Sequence, residues 1–362
     1  MKHCNDLQEL LKSLPNNKTI VDNAVIAWSK INSPKYEKIL CSVSGGSDSD
    51  IMLDIVFKCD KNNKVIYVWF DTGLEFQATK DHLKYLEDLY GIEIIRNKAI
   101  KPIPTCCKEF GQPFISKYVS DMISRLQAYD FKWENEPIEV LVERYCEEVP
   151  VKNQKSAEFN GKFYQGCVSA LRWWCNDYFT MEGSRSHFNI NYVYGLKEFI
   201  ISNPPLFKIS ANCCTYAKKG VSKNLKKQYK ADLEIIGVRK AEGGARATAY
   251  KNCFSEYEDS ADEYRPLFWY NSQDKLDYEH WFKIKHSDCY EKYGMLRTGC
   301  ACCPYGWVRE NLKDELKVCE VYEPKLYKAV NNVFKDSYEY LNEFLKFRKD
   351  FKQKELGIKK LF

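Results

Sequence analysis

The stretch "EKILCSVSGGSDSDIMLDIVFKC", residues 37–59, constrains the fold more than any other part of the chain. An apolar run suited to a buried strand passes into a loop of glycine, serine and aspartate, and the loop passes into a segment with helical apolar spacing. A second buried run, "KVIYVWFD", ends at Asp71-Thr72-Gly73, and "FQATKDHLKYLEDLYG" then reads as a helix stopped by Gly91. "IEIIRN" is a third strand, and "TIVDNAVIAWSKI", residues 19–31, is an amphipathic helix ahead of them all. This β-α-β-α-β order predicts an α/β fold: a parallel twisted sheet with flanking helices and right-handed crossovers. Ligands of such sheets bind beyond the carboxyl ends of the strands, where the loops 44–49 and 71–75 both lie.

The alternation stops at residue 101. Residues 101–195 are rich in aromatic and charged side chains and predict a helical insertion, with helical periodicity in "FISKYVSDMISRLQAY", "PIEVLVERYCEEV" and "GCVSALRWWCNDYF". "ADLEIIGVRKAEGGARA" restores a strand followed by a Gly/Arg loop, and the tail from 315 to 362 reads as helical. No repeat or low-complexity linker marks a boundary. The expected division is a nucleotide-binding α/β domain over 1–250, carrying the insertion, and a cysteine-rich region over 251–362.

The chemistry of the first loop follows from its residues. Gly45 and Gly46 let backbone N–H groups approach phosphate oxygens, the following helix N-terminus favours an anion, and Ser44, Ser47 and Ser49 add donors. Asp48 beside a polyphosphate is repelled unless it helps to hold a divalent cation such as Mg²⁺ that bridges the phosphates. The lysine and spacing of a Walker A loop are absent, and so is GxGxxG. The plain alternative is a Gly/Ser turn at a helix start. Arg239 and Arg246, beyond a later strand, suit bidentate phosphate contacts, with surface ion pairs as the alternative. Asp71 and Glu75 face a ribose, a metal or a substrate proton, or else Asp71 caps a helix.

Cysteine is the compositional outlier, with 16 residues, whereas histidine numbers five and shows no HExxH or paired spacing. Any metal site is therefore expected to be thiolate-rich. Cys213-Cys214 and Cys300-x-x-Cys303 supply four thiols from two segments, and Cys302 makes the second segment ambiguous by one position. A Cys4 zinc site is one reading of them. Cys106-Cys107 bridge poorly as neighbours. Cys167 and Cys175, eight apart, fall near one helix face, and these cysteines and Trp173-Trp174 read as structural. The formal charge of +5 is small for 362 residues and does not announce a nucleic-acid binder, although "KISANCCTYAKKGVSKNLKKQYK" holds seven lysines. No apolar run approaches the roughly 18 residues of a membrane span. The N-terminal residues, with Asp6 and Glu9, lack a signal-peptide core, so a cytoplasmic location is expected.

Together these motifs resemble the PP-loop, Rossmann-like superfamily of N-type ATP pyrophosphatases, and within it the PAPS-reductase family. The strand-SGGxDS-helix unit resembles the PP-loop. "DTGLEF", residues 71–76, resembles the DTG-x-x-F segment of that branch, and "IGVRKAEGGARA", 236–247, its G-x-R-x-x-E/Q-x-x-x-R-A loop. "FKISANCC" and "RTGCACCPYG" resemble its cysteine segments, and the likeness spans roughly residues 35–100 and 195–310. It implies ATP or a sulfonucleotide on Ser44, Gly45, Gly46, Ser47, Asp48 and Ser49, with Asp71, Thr72, Gly73, Glu75, Gly237 and Arg239 around it. Asp48, Arg239 and Arg246 would be catalytic. It also implies a [4Fe–4S] cluster on Cys213, Cys214, Cys300 and Cys303, as in assimilatory APS reductases, with zinc as the alternative.

Three readings of function stay open at this level. The first is Mg-ATP cleaved at its α–β bond to adenylate an acceptor in support of sulfur transfer, with a sulfur-donor protein and a nucleic-acid acceptor as candidate partners. The second is a sulfonucleotide reductase. Such enzymes use a cysteine near a flexible C-terminus, and no cysteine follows Cys319 here, so Cys106, Cys107, Cys167 or Cys175 would have to serve. The reductases also usually carry a degenerate loop, whereas SGGxDS is intact. The third is a non-enzymatic nucleotide- or nucleic-acid-binding module with a structural metal.

Overall fold

The structure is a computed structural model, and it describes residues 2–243, 249–309 and 311–359. The chain divides into two compact units. Met1–Ile103, Cys214–Ala301 and Lys317–Leu326 form the first, and Pro104–Cys213, Cys302–Leu316 and Tyr327–Phe362 form the second.

Among the described residues the strands, in chain order, are β1 (Ile39–Ser42), β2 (Val65–Asp71), β3 (Ile94–Lys98), β4 (Cys146–Val149), β5 (Ser156–Phe159), β6 (Lys162–Gly166), β7 (Leu233–Ile236), β8 (Phe254–Ser255) and β9 (Asp262–Tyr264). The first unit is built on a sheet of order β3-β2-β1-β7-β9-β8, parallel except for β8 at the edge. The expected parallel α/β architecture is therefore present. Helices α1 (Leu7–Ser13), α2 (Lys18–Ile31), α3 (Ser47–Cys59) and α4 (Gln77–Tyr90) are joined further along by Gly220–Tyr229 and Ser272–Phe282.

Strand alternation sorts the core onto two faces. Ile39, Cys41, Tyr67, Trp69, Leu233 and Ile235 pack with α2 and α3, whereas Leu40 and Val68 pack with Val221 and Leu225 of Gly220–Tyr229. Helix α4 stops where the sequence indicates, because Gly91 takes φ 67, a left-handed cap that glycine adopts without strain. Helix α3 is buried along almost its whole length, Asp54 and Lys58 included. A buried charge survives only when paired. Asp54 accepts from Lys58 Nζ at 2.5 Å, Tyr90 Oη at 2.9 Å and Tyr278 Oη at 2.6 Å. One carboxylate thus ties α3 to α4 and to Ser272–Phe282.

The second unit contains the helices Lys117–Gln127, Ile138–Tyr145 and Val168–Trp174 expected of the insertion. It also contains a three-stranded antiparallel sheet, β4-β6-β5, beside the expected helices. The helical period of "PIEVLVERYCEEV" breaks after Tyr145, where cross-strand pairing takes over from local spacing. Trp173 and Trp174 are fully buried, as the core reading had it, and Trp174 packs edge-on against Phe131 at 5.5 Å. No helix among the described residues is long and apolar enough to cross a membrane.

Candidate functional site

β1 pairs with β2 on one side and β7 on the other. The strand order reverses there, and the loops leaving β1 and β7 flank the crevice in which open α/β sheets bind ligands. Gly45 in the first loop has φ +68, and a Cβ there would lie 2.8 Å from Thr79 Cγ2. Gly46 is the N-cap of α3 and offers no side-chain cap, so the first turn keeps its N–H groups for an anion. The serines brace the loop from within: Ser44 N donates to Ser49 Oγ at 2.8 Å, and Gly46 N to Ser44 Oγ at 3.4 Å. Gly45→Ala is expected to destabilise the protein by about 1–2 kcal/mol through the left-handed backbone alone, with the Thr79 clash added. Urea denaturation measures the loss. Adding Thr79→Ser removes the clashing methyl and should restore only the steric part.

Asp48 is held between two cations, Arg239 Nε at 3.0 Å and Lys275 Nζ at 3.0 Å. Burial works against its charge, but Lys275 and Arg239 outweigh it and hold the carboxyl below the usual range. Lys275 also donates to Ser47 Oγ at 2.5 Å. Two cations thus meet one carboxylate beside the loop and the uncapped helix N-terminus, with Lys275 shared with Glu279 on its far side. Gly237 lets the β7 loop close on α3: a Cβ there would meet Met52 Sδ at 3.5 Å and the Asp48 carbonyl at 3.7 Å. Glu242 steadies that loop, accepting from Arg239 N at 3.3 Å and pairing with Arg297 at 3.0 Å.

A polar chain continues behind the loop. Lys275 lies 3.6 Å from Glu279, Glu279 2.9 Å from His286 Nε2, and His286 Nδ1 2.8 Å from Asp50, whose Oδ2 is also 3.1 Å from His82 Nε2. Burial alone would lower the His286 pKa, but Asp50 and Glu279 raise it to about 9. A histidine raised in the folded state lends stability that is full below its unfolded pKa of about 6.5 and is lost as pH rises through the folded value. Unfolding free energy is therefore expected to fall by on the order of 3 kcal/mol between pH 6.5 and 9.5, and His286→Gln should flatten that decline. Denaturant titrations across this range, compared between wild type and variant, check it.

The second loop is acidic. Glu75 Oε1 accepts from Thr72 N at 2.9 Å and from the Thr72 hydroxyl, and Gly73 N donates to Asp71 Oδ1 at 3.0 Å. Asp71 therefore shapes the turn rather than capping α4, whose N-cap is Phe76. Burial, helped by the Asp71 charge, pushes the Glu75 pKa up, although the Thr72 hydrogen bonds oppose it. Segment 297–301 runs alongside: Thr298 Oγ1 is 3.2 Å from a Cβ placed on Gly46, Ala301 N donates to Leu74 O at 2.8 Å, and Cys300 Sγ lies 3.8 Å from Thr72 Oγ1. Burial raises the Cys300 pKa, Lys218 opposes this, and Cys214 and Glu75 add to it.

Of the four expected cluster ligands, Cys214 and Cys300 thus come within electrostatic reach of each other in the first unit, with Lys218 beside them. Cys213 and Cys303 belong to the second unit. There Cys302 is fully buried, with Sγ 3.8 Å from the Glu315 carbonyl. Thiolates with a neighbouring lysine suit an anionic iron–sulfur cluster in donor chemistry. Among the described residues no three His, Cys, Asp or Glu side chains are gathered at metal-holding distance. Arg246 lies outside the described residues.

Residues 38–128 match the phosphoadenosine phosphosulfate reductase domain. The reductase-domain match takes in both loops, Asp50 and His82, and ends before Arg239, Lys275, His286 and the four candidate ligand cysteines. An uncharacterized protein of Methanocaldococcus jannaschii is 29% identical over 142 residues, 36% of this chain and 26% of that protein. The chain thus spans about a quarter of that relative's length. Among solved structures, the phosphoadenylyl-sulfate reductase of Candida auris is similar with TM-score 0.38 at 12% identity, over 81% of this chain and 93% of that one. The U34-tRNA thiolase of Methanococcus maripaludis, with its [4Fe–4S] cluster, gives TM-score 0.36 at 12% identity over 91% and 79%. The NH3-dependent NAD synthetase of Campylobacter jejuni gives 0.33 at 11% over 92% and 96%.

Sequence reading missed Lys275, Glu279, His286, His82 and Asp50. Two weak signals existed: Asp50 follows Asp48 in the first turn of α3, and Lys275 and Glu279 are four apart on one helix face.

Proposed function

We propose that this chain takes ATP on the 44–49 loop and cleaves its α–β phosphate bond, adenylating an acceptor in support of sulfur transfer. The single observation that carries the reading is the Asp48 trio: two cations, held by one carboxylate, stand beside an uncapped helix N-terminus at the reversal of the sheet. An acceptor oxygen attacks the α-phosphorus, the bond from that phosphorus to the bridging oxygen breaks, and pyrophosphate leaves. The acceptor's proton passes to solvent or to a carboxylate of the 71–75 loop. A sulfur nucleophile then displaces AMP. Arg239, Lys275 and the first-turn N–H groups neutralise charge that builds on the phosphates.

Mg²⁺, when bound, supplies further neutralisation of the phosphates. Asp48 already carries two cations, so Asp71 and Glu75 are the carboxylates that suit it. Cys213, Cys214, Cys300 and Cys303 would hold a [4Fe–4S] cluster, which supplies a thiolate-ligated iron centre; zinc on the same thiols is the alternative.

The match to the reductase domain favours a second reading, reduction of a sulfonucleotide. One experiment separates the two. The chain, purified anaerobically, is incubated with α-labelled ATP and a cell extract of nucleic acids and metabolites, and separately with PAPS or APS plus a dithiol. The expected result is labelled AMP or adenylated acceptor with pyrophosphate, and no sulfite. Sulfite release without pyrophosphate would give the second reading, and neither product would leave a binding module. Iron content and the visible spectrum of the same preparation test the cluster.

A further inference from the structure

Cys146 and Cys167 both lie in the second unit. Cys146 opens β4 and pairs across the sheet with Gly166, the last residue of β6. Gly166 has φ +136, and a Cβ there would lie 2.9 Å from Cys146 Sγ and 3.1 Å from Cys146 Cα. Only glycine fits this close approach, and it ends the strand one residue before Cys167. The Cys146 sulfur interacts electrostatically with the Cys167 side chain and with the backbone at Cys167 and Val168. Cys146 is partly exposed, whereas Cys167 is buried.

We propose that Cys146 and Cys167 form a redox pair, in which Cys146 is the attacking thiolate and Cys167 the resolving thiol toward hydrogen peroxide. The Cys146 sulfur attacks the peroxide, an S–O bond forms, the O–O bond breaks, and the leaving hydroxide becomes water. Cys167 then attacks the sulfenic sulfur, gives up its proton, and expels the oxygen as a second water. Two thiols and one peroxide become one disulfide and two waters. The environment divides the roles: the Cys167 side chain and the backbone at Cys167 and Val168 lower the Cys146 pKa despite burial, whereas the Cys146 sulfur and burial raise that of Cys167. A dithiol reductant reverses the reaction. Cys175, whose pKa burial pushes up to about 11, is an internal control in the same unit.

The test uses the full chain, reduced, freed of reductant and treated anaerobically with hydrogen peroxide. Remaining thiols are blocked, and peptides are mapped by mass spectrometry before and after dithiothreitol. The expected product is a Cys146–Cys167 linkage that forms at least about tenfold faster than any oxidation of Cys175 and is reversed by dithiothreitol. Cys167→Ser should leave a sulfenic acid at Cys146 that dimedone traps, and Cys146→Ser should leave Cys167 unoxidised. A Cys146 that oxidises no faster than Cys175, or that passes to sulfinic acid without linking to Cys167, overturns the proposal. The wild-type map decides the matter even where a variant fails to fold.

Discussion

Lys275→Ala and Arg239→Ala are each expected to lower pyrophosphate release from ATP by about 100- to 1,000-fold, the usual cost of one preorganised charge on a reacting phosphate or oxyanion. The two side chains approach the same oxygen of Asp48. Removing either one leaves a carboxylate with a single counter-charge beside the phosphates, so repulsion adds to the lost attraction. The double variant should therefore lose less than the product of the single losses, because the groups act as a unit. Lys275→Arg keeps the charge but not the short contact to Ser47 Oγ, and should recover part of the rate. Steady-state rates with the acceptor-containing extract measure all four proteins. Unchanged circular dichroism and denaturation midpoints separate this loss from unfolding.

Asp54→Ala should cost about 3–5 kcal/mol of stability, since it strands Lys58 as an unpaired charge inside the protein and removes the acceptor for two buried phenols. The consequence reaches the site. Tyr278 sits one turn beyond Lys275 on Ser272–Phe282, and its bond to Asp54 anchors that helix to α3. Urea titration should show a lower midpoint with little change in slope, and ATP turnover should fall at temperatures where the variant is still folded. Asp54→Asn, which keeps an acceptor for one phenol, should lie between the two.

The strands β1, β2 and β3, the helices between them and the Gly91 stop were legible because each depends on local spacing and turn chemistry. The loop 44–49 was legible for the same reason. Its reading gained one feature: Asp48, expected to help hold a bridging cation, is also ion-paired with Arg239 and Lys275. Lys275 and His286 were not legible, because what makes them matter is the fold bringing residues near 275–286 onto residues near 48–50. His82 and His286 share Asp50 although no sequence spacing pairs them. Cys167 and Cys175 looked like one face of a helix, but the helix is only Val168–Trp174, and the two cysteines are its N-cap and C-cap. β4 was hidden because it continues a helix without a break and is defined only by its partner β6.

Isothermal titration of the full chain with ATP, pyrophosphate and AMP, each with Mg²⁺, tests the central claim most directly. The account predicts that ATP and pyrophosphate bind and that AMP binds at least about tenfold more weakly, since the loop recognises the polyphosphate rather than the nucleoside. It further predicts that Lys275→Ala weakens ATP and pyrophosphate alike. AMP binding as tightly as ATP, or ATP binding untouched by Lys275→Ala, would contradict it.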